Sequence, residues 1–352
     1  MTTNNPINAN ELLNNLVAGN DLSQGQSEFF FEKVLQGDIE PAMLASFLTA
    51  LKIKGETPSE IAGAAKAIRG AATVFPITDA LKNVDISDCV GTGGDGANTI
   101  NISTTAAILA AACGIAVAKH GNRSVSSMSG SADLLEALGV NLNMSPETAS
   151  MCLAQANLCF LYAPAYHTGF KHAGPVRKSM GIRTLFNILG PLVNPANPKV
   201  MLLGVYTPEL LEPIAQALKL SGVKRAMVVH GSGLDEVALH GETQAIELNE
   251  GSLTATTLTP ASFGLKSFSL DSIKGGTPEE NAQYVKAILA GTGAEAHNNA
   301  VIINCAVLLF LHNKASSLTE AASIAANVLA SGKAEKTLEA LVSLSNQPCM
   351  AE

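Results

Sequence analysis

The sequence predicts an α/β protein with a small helical N-terminal domain (1–75) and a larger α/β domain (76–352) built on a mostly parallel central sheet. Three observations carry this prediction. Apolar residues recur at helical spacing up to Arg69, short apolar runs alternate with helix-length segments after Pro76, and a glycine-rich loop follows the first of those runs. At 352 residues, 47% hydrophobic and 15% charged, the chain is long enough to bury the cores of two domains.

In the N-terminal part, the stretches 12–17, 29–35 and 43–53 each carry a helical apolar stripe. Thr57-Pro58-Ser59-Glu60 is a capping box with proline at the first helical position, and it opens a helix toward Arg69. Helices around 165–190 can complete this domain. None of its residues assembles a chemical constellation, so its expected roles are packing and self-association. Beyond Pro76, strands are expected at 84–90, 115–118, 158–161, 200–205 and 226–229. Helices are expected at 104–113, 133–138, from Pro146, at 208–220, and at 279–289, 298–310, 318–329 and 335–344.

Composition excludes several classes. A net charge of -8 argues against a surface made to neutralise a nucleic-acid backbone. It does not argue against a small anionic substrate, because local dipoles and a bound cation override the global sign. Cys89, Cys113, Cys152, Cys159, Cys305 and Cys349 form no C-x-x-C pair, which points to buried thiols in a reducing compartment. The polar start, Met1 to Asn10, lacks the pattern of a signal peptide, and no apolar run reaches membrane-spanning length. The expectation is a cytoplasmic protein that binds neither membrane nor nucleic acid.

The run from Asp88 to Thr104, DCVGTGGDGANTINIST, is the most informative stretch. Glycines after a strand let the backbone approach a ligand and turn its N–H groups toward an anion. Asn101, Ser103 and Thr104 then lie at a helix start, where free N–H groups favour phosphate, and the two hydroxyls suit phosphate or magnesium. The loop lacks the Lys-Ser or Lys-Thr of a Walker A motif. Gly91, Gly93 and Gly96 fit the letters of a dinucleotide fingerprint, but the following strand ends at Lys119 rather than at an acidic residue.

Three further segments complete the candidate site. Lys119 to Ser127, KHGNRSVSS, gathers cations, amide and hydroxyls, the groups that hold and orient phosphate. Arg177 offers a planar two-point contact for a carboxylate. Arg183 and Asn187 read as groups tying their helix to neighbouring loops. Asp235-Glu236, on the glycine-rich turn HGSGLDE, can meet a hard cation that retains waters. His167 and His172 are five apart, a spacing that does not align two zinc ligands on a helix.

These segments, with LKIKGETPSEIAGAAKAIRG, GTGGDGANTINIST, KHGNRSVSSMSGSADLLEALGV and VRKSMGIRTLFNILGPLVNPA, closely resemble the signature segments of the anthranilate phosphoribosyltransferases, in the same order over most of the chain. Ile100 and Val193 stand where that family shows Phe and Thr. The resemblance implies the fold shared by nucleoside phosphorylases and phosphoribosyltransferases, and transfer of a phosphoribosyl group to the amine of anthranilate in tryptophan biosynthesis. It implies that Gly91, Gly94, Asp95, Thr99, Asn101, Ile102, Ser103, Thr104, Lys119, His120, Gly121, Asn122, Arg123, Ser124, Val125, Ser126, Ser127 and Ser131 hold phosphoribosyl pyrophosphate. For anthranilate it implies Arg177 at the carboxylate, with Gly91, Asn122, His120 and His167 around the molecule. Ser103, Asp235 and Glu236 would hold magnesium, two ions per subunit, in a homodimer formed through the helical domain.

The implied chemistry is cleavage of the C1–O bond through an oxocarbenium-like centre, with attack by a neutral aromatic amine from the opposite face. Such an amine needs no strong base, so no residue is expected to act as one. A pyrimidine-type nucleoside phosphorylase is the enzymatic alternative, although its glycine and lysine loops are worded differently. A nucleic-acid-binding paralogue is the non-enzymatic one, and the acidic balance opposes it.

Overall fold

The computed structural model describes residues 8–124 and 127–347. The expectations for Val125 and Ser126, and the sixth cysteine, Cys349, lie outside the described residues.

Four helices open the chain: α1 (Ala9–Val17), α2 (Gln24–Gln36), α3 (Pro41–Lys54) and α4 (Pro58–Gly70). Ser23 and Thr57 start α2 and α4 with reciprocal capping boxes, so main-chain donors at both starts have side-chain partners. Gly37, with φ 84°, ends α2 in the left-handed conformation. Phe30, Phe31 and Phe47 are fully buried where α2 meets α3, with the Phe30 and Phe47 rings stacked at 3.5 Å.

The remaining elements alternate as expected. They run β1 (Ser87–Gly91), α5 (Ile102–Ala112), β2 (Val117–Gly121), α6 (Ser131–Ala137), α7 (Pro146–Ala156), β3 (Leu158–Tyr162), α8 (Ala163–Tyr166), α9 (Gly174–Met180), α10 (Phe186–Leu189), β4 (Val200–Gly204), α11 (Leu211–Leu220) and β5 (Arg225–His230). There follow β6 (Thr243–Asn249), β7 (Ser252–Leu258), α12 (Pro278–Leu289), α13 (Glu295–Leu311), α14 (Leu318–Ala330) and α15 (Lys333–Ser345). Among the described residues no helix is long and apolar enough to cross a membrane.

The sheet order is β3-β2-β1-β4-β5-β6-β7. Strands β1 to β5 pair in parallel, and β6 and β7 add an antiparallel edge. That hairpin is absent from the expected elements. Its turn is Glu250-Gly251, with φ 45° and 86°, and glutamate at the first turn position hides the usual Asn-Gly or Asp-Gly signal. Strand β7 is mostly exposed and rich in threonine, so no apolar run marks it. Strands β1 and β2 also begin later than expected and run into the polar motifs. Lys119 and His120 pair with Phe160 and Leu161 inside the ladder rather than lying in the loop after it.

Alternation along the strands divides the apolar residues between two cores. In β4, Val200 and Leu202 face one side, where α5, α13 and α15 pack; Met201 and Leu203 face the other. This second core also takes Ala226 and Val228 of β5, helix α11, the four N-terminal helices and the segment carrying α9 and α10. Residues from Ala173 to Leu189 thus share a core with the N-terminal helices, which α11 joins to one sheet face, while Tyr166 belongs to the other core.

Candidate active site

The strand order reverses between β1 and β4, and their last residues, Gly91 and Gly204, are register partners. In open α/β sheets the crevice beyond the carboxyl ends of such strands is where ligands bind, because the loops there diverge. A cavity of about 820 Å³ occupies this position. Its lining includes every described residue expected to bind substrate or metal, from Gly91 through Ser131 to His167, Arg177, Asp235 and Glu236.

The glycine loop leaves β1 with Gly93, Gly94 and Gly96 at φ 70°, 83° and 74°. Thr92 N–H donates to Gly204 O at 2.9 Å, which ties the loop to β4. Gly93 N–H donates to Asp235 Oδ2 at 2.6 Å, and Ser103 N–H, in the first turn of α5, donates to Glu236 Oε1 at 3.1 Å. The glycine loop and the acidic turn therefore face each other across the same cavity. Glycine is required beside this contact: a Cβ on Gly204 would sit 1.6 Å from the Asp235 carbonyl oxygen.

Lys119 is buried in β2, where its ammonium donates to the Cys89 carbonyl at 2.6 Å and lies 3.5 Å from Ser103 Oγ. Asp88, one residue before Cys89, receives Asn194 Nδ2 at 2.7 Å; burial raises its pKa to about 6 against the opposing pull of Lys119. Asn101 is locked by Ser129 and by Asn281 Nδ2 at 2.8 Å. Arg123 reaches the cavity rim, but its guanidinium is engaged by Asp133 and Glu136 at 3.0 and 2.7 Å, so Lys119 is the inward cation of this pair.

Burial pushes the Glu236 carboxyl up to about 8, and the adjacent Asp235 adds to the shift. Asp235 moves upward as well, first through burial and then through the charge of Asp95. Desolvated carboxylates that repel one another are what a hard divalent cation relieves, so this donor set fits magnesium. Among the described residues no group of three or more His, Cys, Asp or Glu is arranged to hold a metal ion by itself. Magnesium typically takes one or two carboxylates together with substrate phosphates and waters.

Further lining comes from His120 of β2 and from the segment carrying α8 to α10. His120 Nδ1 lies 3.2 Å from the Gly190 carbonyl, a pure acceptor, so Nδ1 carries the proton. Its Nε2 is then a lone pair, which accepts from His167 Nε2 at 3.2 Å. Burial lowers His120 to about 3, helped by the charge of His167, and lowers His167 to about 4, so the pair is neutral at ordinary pH. Phe170 and Phe186 stand edge-on behind it. The Arg177 guanidinium lies 5.1 Å from the Phe186 ring centre, and its charge is partly desolvated. Sequence reasoning missed both phenylalanines, Tyr206 and Gly204. Only the helical spacing of Phe186 could have drawn attention to that residue.

Fold and cavity together define a glycosyl-transfer enzyme of the helical-bundle-plus-α/β class. Residues 83–335 match the model of the "Glycosyl transferase family, a/b domain" and residues 10–72 that of its "helical bundle domain". The anthranilate phosphoribosyltransferase of Colwellia psychrerythraea is 72% identical over 338 residues, 96% of this chain and 92% of that protein. The crystal structure of the Thermus thermophilus enzyme of that name superposes with a TM-score of 0.90 at 41% identity, covering 96% of this chain and 99% of that one. The Saccharomyces cerevisiae enzyme in complex with PRPP and Mg gives 0.85 at 31%, over 96% of this chain and 97% of that one. In complex with 4-fluoroanthranilate it gives 0.84 at 30%, over 97% and 99%. The chain belongs to the anthranilate phosphoribosyltransferase family.

Proposed function

We propose that this chain transfers the phosphoribosyl group of 5-phosphoribosyl 1-pyrophosphate to the amine of anthranilate, giving N-(5-phosphoribosyl)anthranilate and pyrophosphate in tryptophan biosynthesis. One juxtaposition carries the reading. Main-chain donors, Lys119 and the Asp235-Glu236 pair meet at a cavity that Arg177 and the neutral histidine pair also line.

In this reading the glycine loop and the start of α5 receive the diphosphate, and Lys119 supplies compact positive charge beside it. Asn122, Ser124, Ser127 and Ser131 line the ribosyl phosphate's share of the cavity, with Val125 and Ser126 belonging to the same motif. Arg177 anchors the anthranilate carboxylate, and His120 and His167 pack against the acceptor ring without exchanging protons. Asp235, Glu236 and Ser103 would hold magnesium, which would supply charge neutralisation for the diphosphate. The residues named here then hold the amine against the opposite face of an oxocarbenium-like C1, so the reaction inverts that centre. Positioning and fixed charge supply the rate enhancement; no side chain acts as a general base, and the proton that the amine nitrogen loses after the C–N bond forms passes to the departing diphosphate or to water.

The same reading has two magnesium ions per subunit, a homodimer formed through the helical domain, and a cytoplasmic location. It divides the chain at about residue 75, with helices near 165–190 belonging to the N-terminal unit. The test is the loss of anthranilate fluorescence with the purified protein. Consumption that requires both phosphoribosyl pyrophosphate and magnesium supports the reading; none with both present would overturn it.

A further inference from the structure

Three successive main-chain N–H groups of the glycine loop, those of Gly94, Asp95 and Gly96, have no acceptor among the described residues. They follow the Gly93 donor already taken by Asp235, and Gly94 and Asp95 line the cavity. The peptide joining Gly94 to Asp95 can rotate readily, because Gly94 at φ 83° turns with little steric cost. If that peptide flips, a carbonyl replaces the Asp95 N–H and faces whatever anion the loop receives.

One side chain holds the carbonyl. Arg183 Nη2 donates to Gly94 O at 2.5 Å, across 89 residues of sequence. Its guanidinium is set against the Tyr206 ring, 4.2 Å from the centre, so the arginine is fixed from behind. Tyr206 N–H in turn donates to Thr92 Oγ1 at 3.1 Å, in the same glycine loop. A trans peptide is planar, so pinning the Gly94 carbonyl toward Arg183 turns the Asp95 N–H the other way.

We propose that Arg183, braced on Tyr206, is a positioning residue that fixes the Gly94–Asp95 peptide with its N–H available to the diphosphate of the donor substrate. The inference rests on the phosphoribosyl-transfer reading. It also gives the segment carrying Arg177 a second role, because a residue six positions after the acceptor's arginine sets the donor loop.

The test compares Arg183→Met, Arg183→Lys and Tyr206→Leu with the unaltered protein. Two readouts are used: calorimetric titration with pyrophosphate in the presence of magnesium, and the separate Michaelis constants for the two substrates. The expected result for Arg183→Met is a tenfold or greater loss of pyrophosphate affinity and a matching rise in KM for the donor. KM for anthranilate stays within twofold. Arg183→Lys, which keeps one donor, and Tyr206→Leu, which keeps the arginine but removes its brace, fall between. Unchanged pyrophosphate affinity in a folded Arg183→Met protein would overturn the proposal, as would an equal rise in both Michaelis constants. If the unaltered protein turns over no anthranilate yet loses pyrophosphate affinity on Arg183→Met, the transfer reading fails while the loop-setting role stands.

Discussion

Asp235 accepts the Gly93 N–H at 2.6 Å, so a carboxylate holds one of the main-chain donors on which an anionic substrate would depend. Glu236 does the same to Ser103 at the start of α5. Without a cation, a diphosphate must compete with these carboxylates for the N–H groups. With one, the carboxylates have a better partner. Asp235→Ala is therefore expected to keep or increase pyrophosphate affinity in the presence of a chelator, and to lose tenfold or more in the presence of magnesium. Titration calorimetry under the two conditions checks this; a loss of equal size in both would show that Asp235 does not contend with the anion.

Arg177→Ala should raise KM for anthranilate by about 10- to 100-fold, equivalent to ~1–3 kcal/mol for a charged hydrogen bond in a partly desolvated site. KM for phosphoribosyl pyrophosphate should move little. An unaltered KM for anthranilate would remove Arg177 from the acceptor site.

The histidine pair makes a pH prediction. His120 and His167 are held at about 3 and about 4, below the unfolded value near 6.5. Because their folded pKa values are depressed, their contribution to stability is complete above pH 6.5 and is lost as the pH falls toward 4 and 3. Between pH 6.5 and 8 neither changes charge, so KM for anthranilate should show no histidine step there. NMR titration of the two imidazoles should find no midpoint above pH 5; a midpoint near 6.5 for either would contradict the buried neutral pair.

Gly204→Ala should cost turnover far more than it costs folding. The added methyl meets the Asp235 backbone, which cannot rotate away, so the acidic turn must shift from the glycine loop. A hundredfold fall in kcat with a thermal midpoint lowered by only a few degrees is expected. Near-normal turnover would show that the spacing of these strands is not critical. By contrast, Phe47→Ala, deep in the helical core, should cost about 3–5 kcal/mol of stability, measured by denaturant unfolding.

Much of this was legible in the chain itself, for identifiable reasons. Helix starts were readable because Thr57 and Glu60 satisfy main-chain groups locally, and the glycine loop because left-handed backbone leaves a compositional trace. That the Asp235-Glu236 turn meets the glycine loop was expected from cation and phosphate chemistry together with the family resemblance; that Gly93 makes the contact was not. Other features depend on partners distant in sequence. Lys119 looks like a loop residue until the ladder with β3 and the Cys89 carbonyl account for a buried ammonium. Arg183 and Tyr206 carry no joint signal, since their stacking exists only after β4 and the α9–α10 segment are packed together. The β6–β7 hairpin was hidden because Glu250 occupies a position where asparagine or aspartate would have announced the turn.

The division of apolar residues between two sheet faces has a consequence for dissecting the molecule. Met201, Leu203 and Val228 share one core with α11, and α11 in turn packs on α4, so the bundle and this face of the sheet bury their apolar residues through the same helix. Severing the chain near residue 75 would not release two self-sufficient halves. The C-terminal fragment would be left with a bare greasy flank, and should precipitate unless the N-terminal fragment is supplied in trans to shield it.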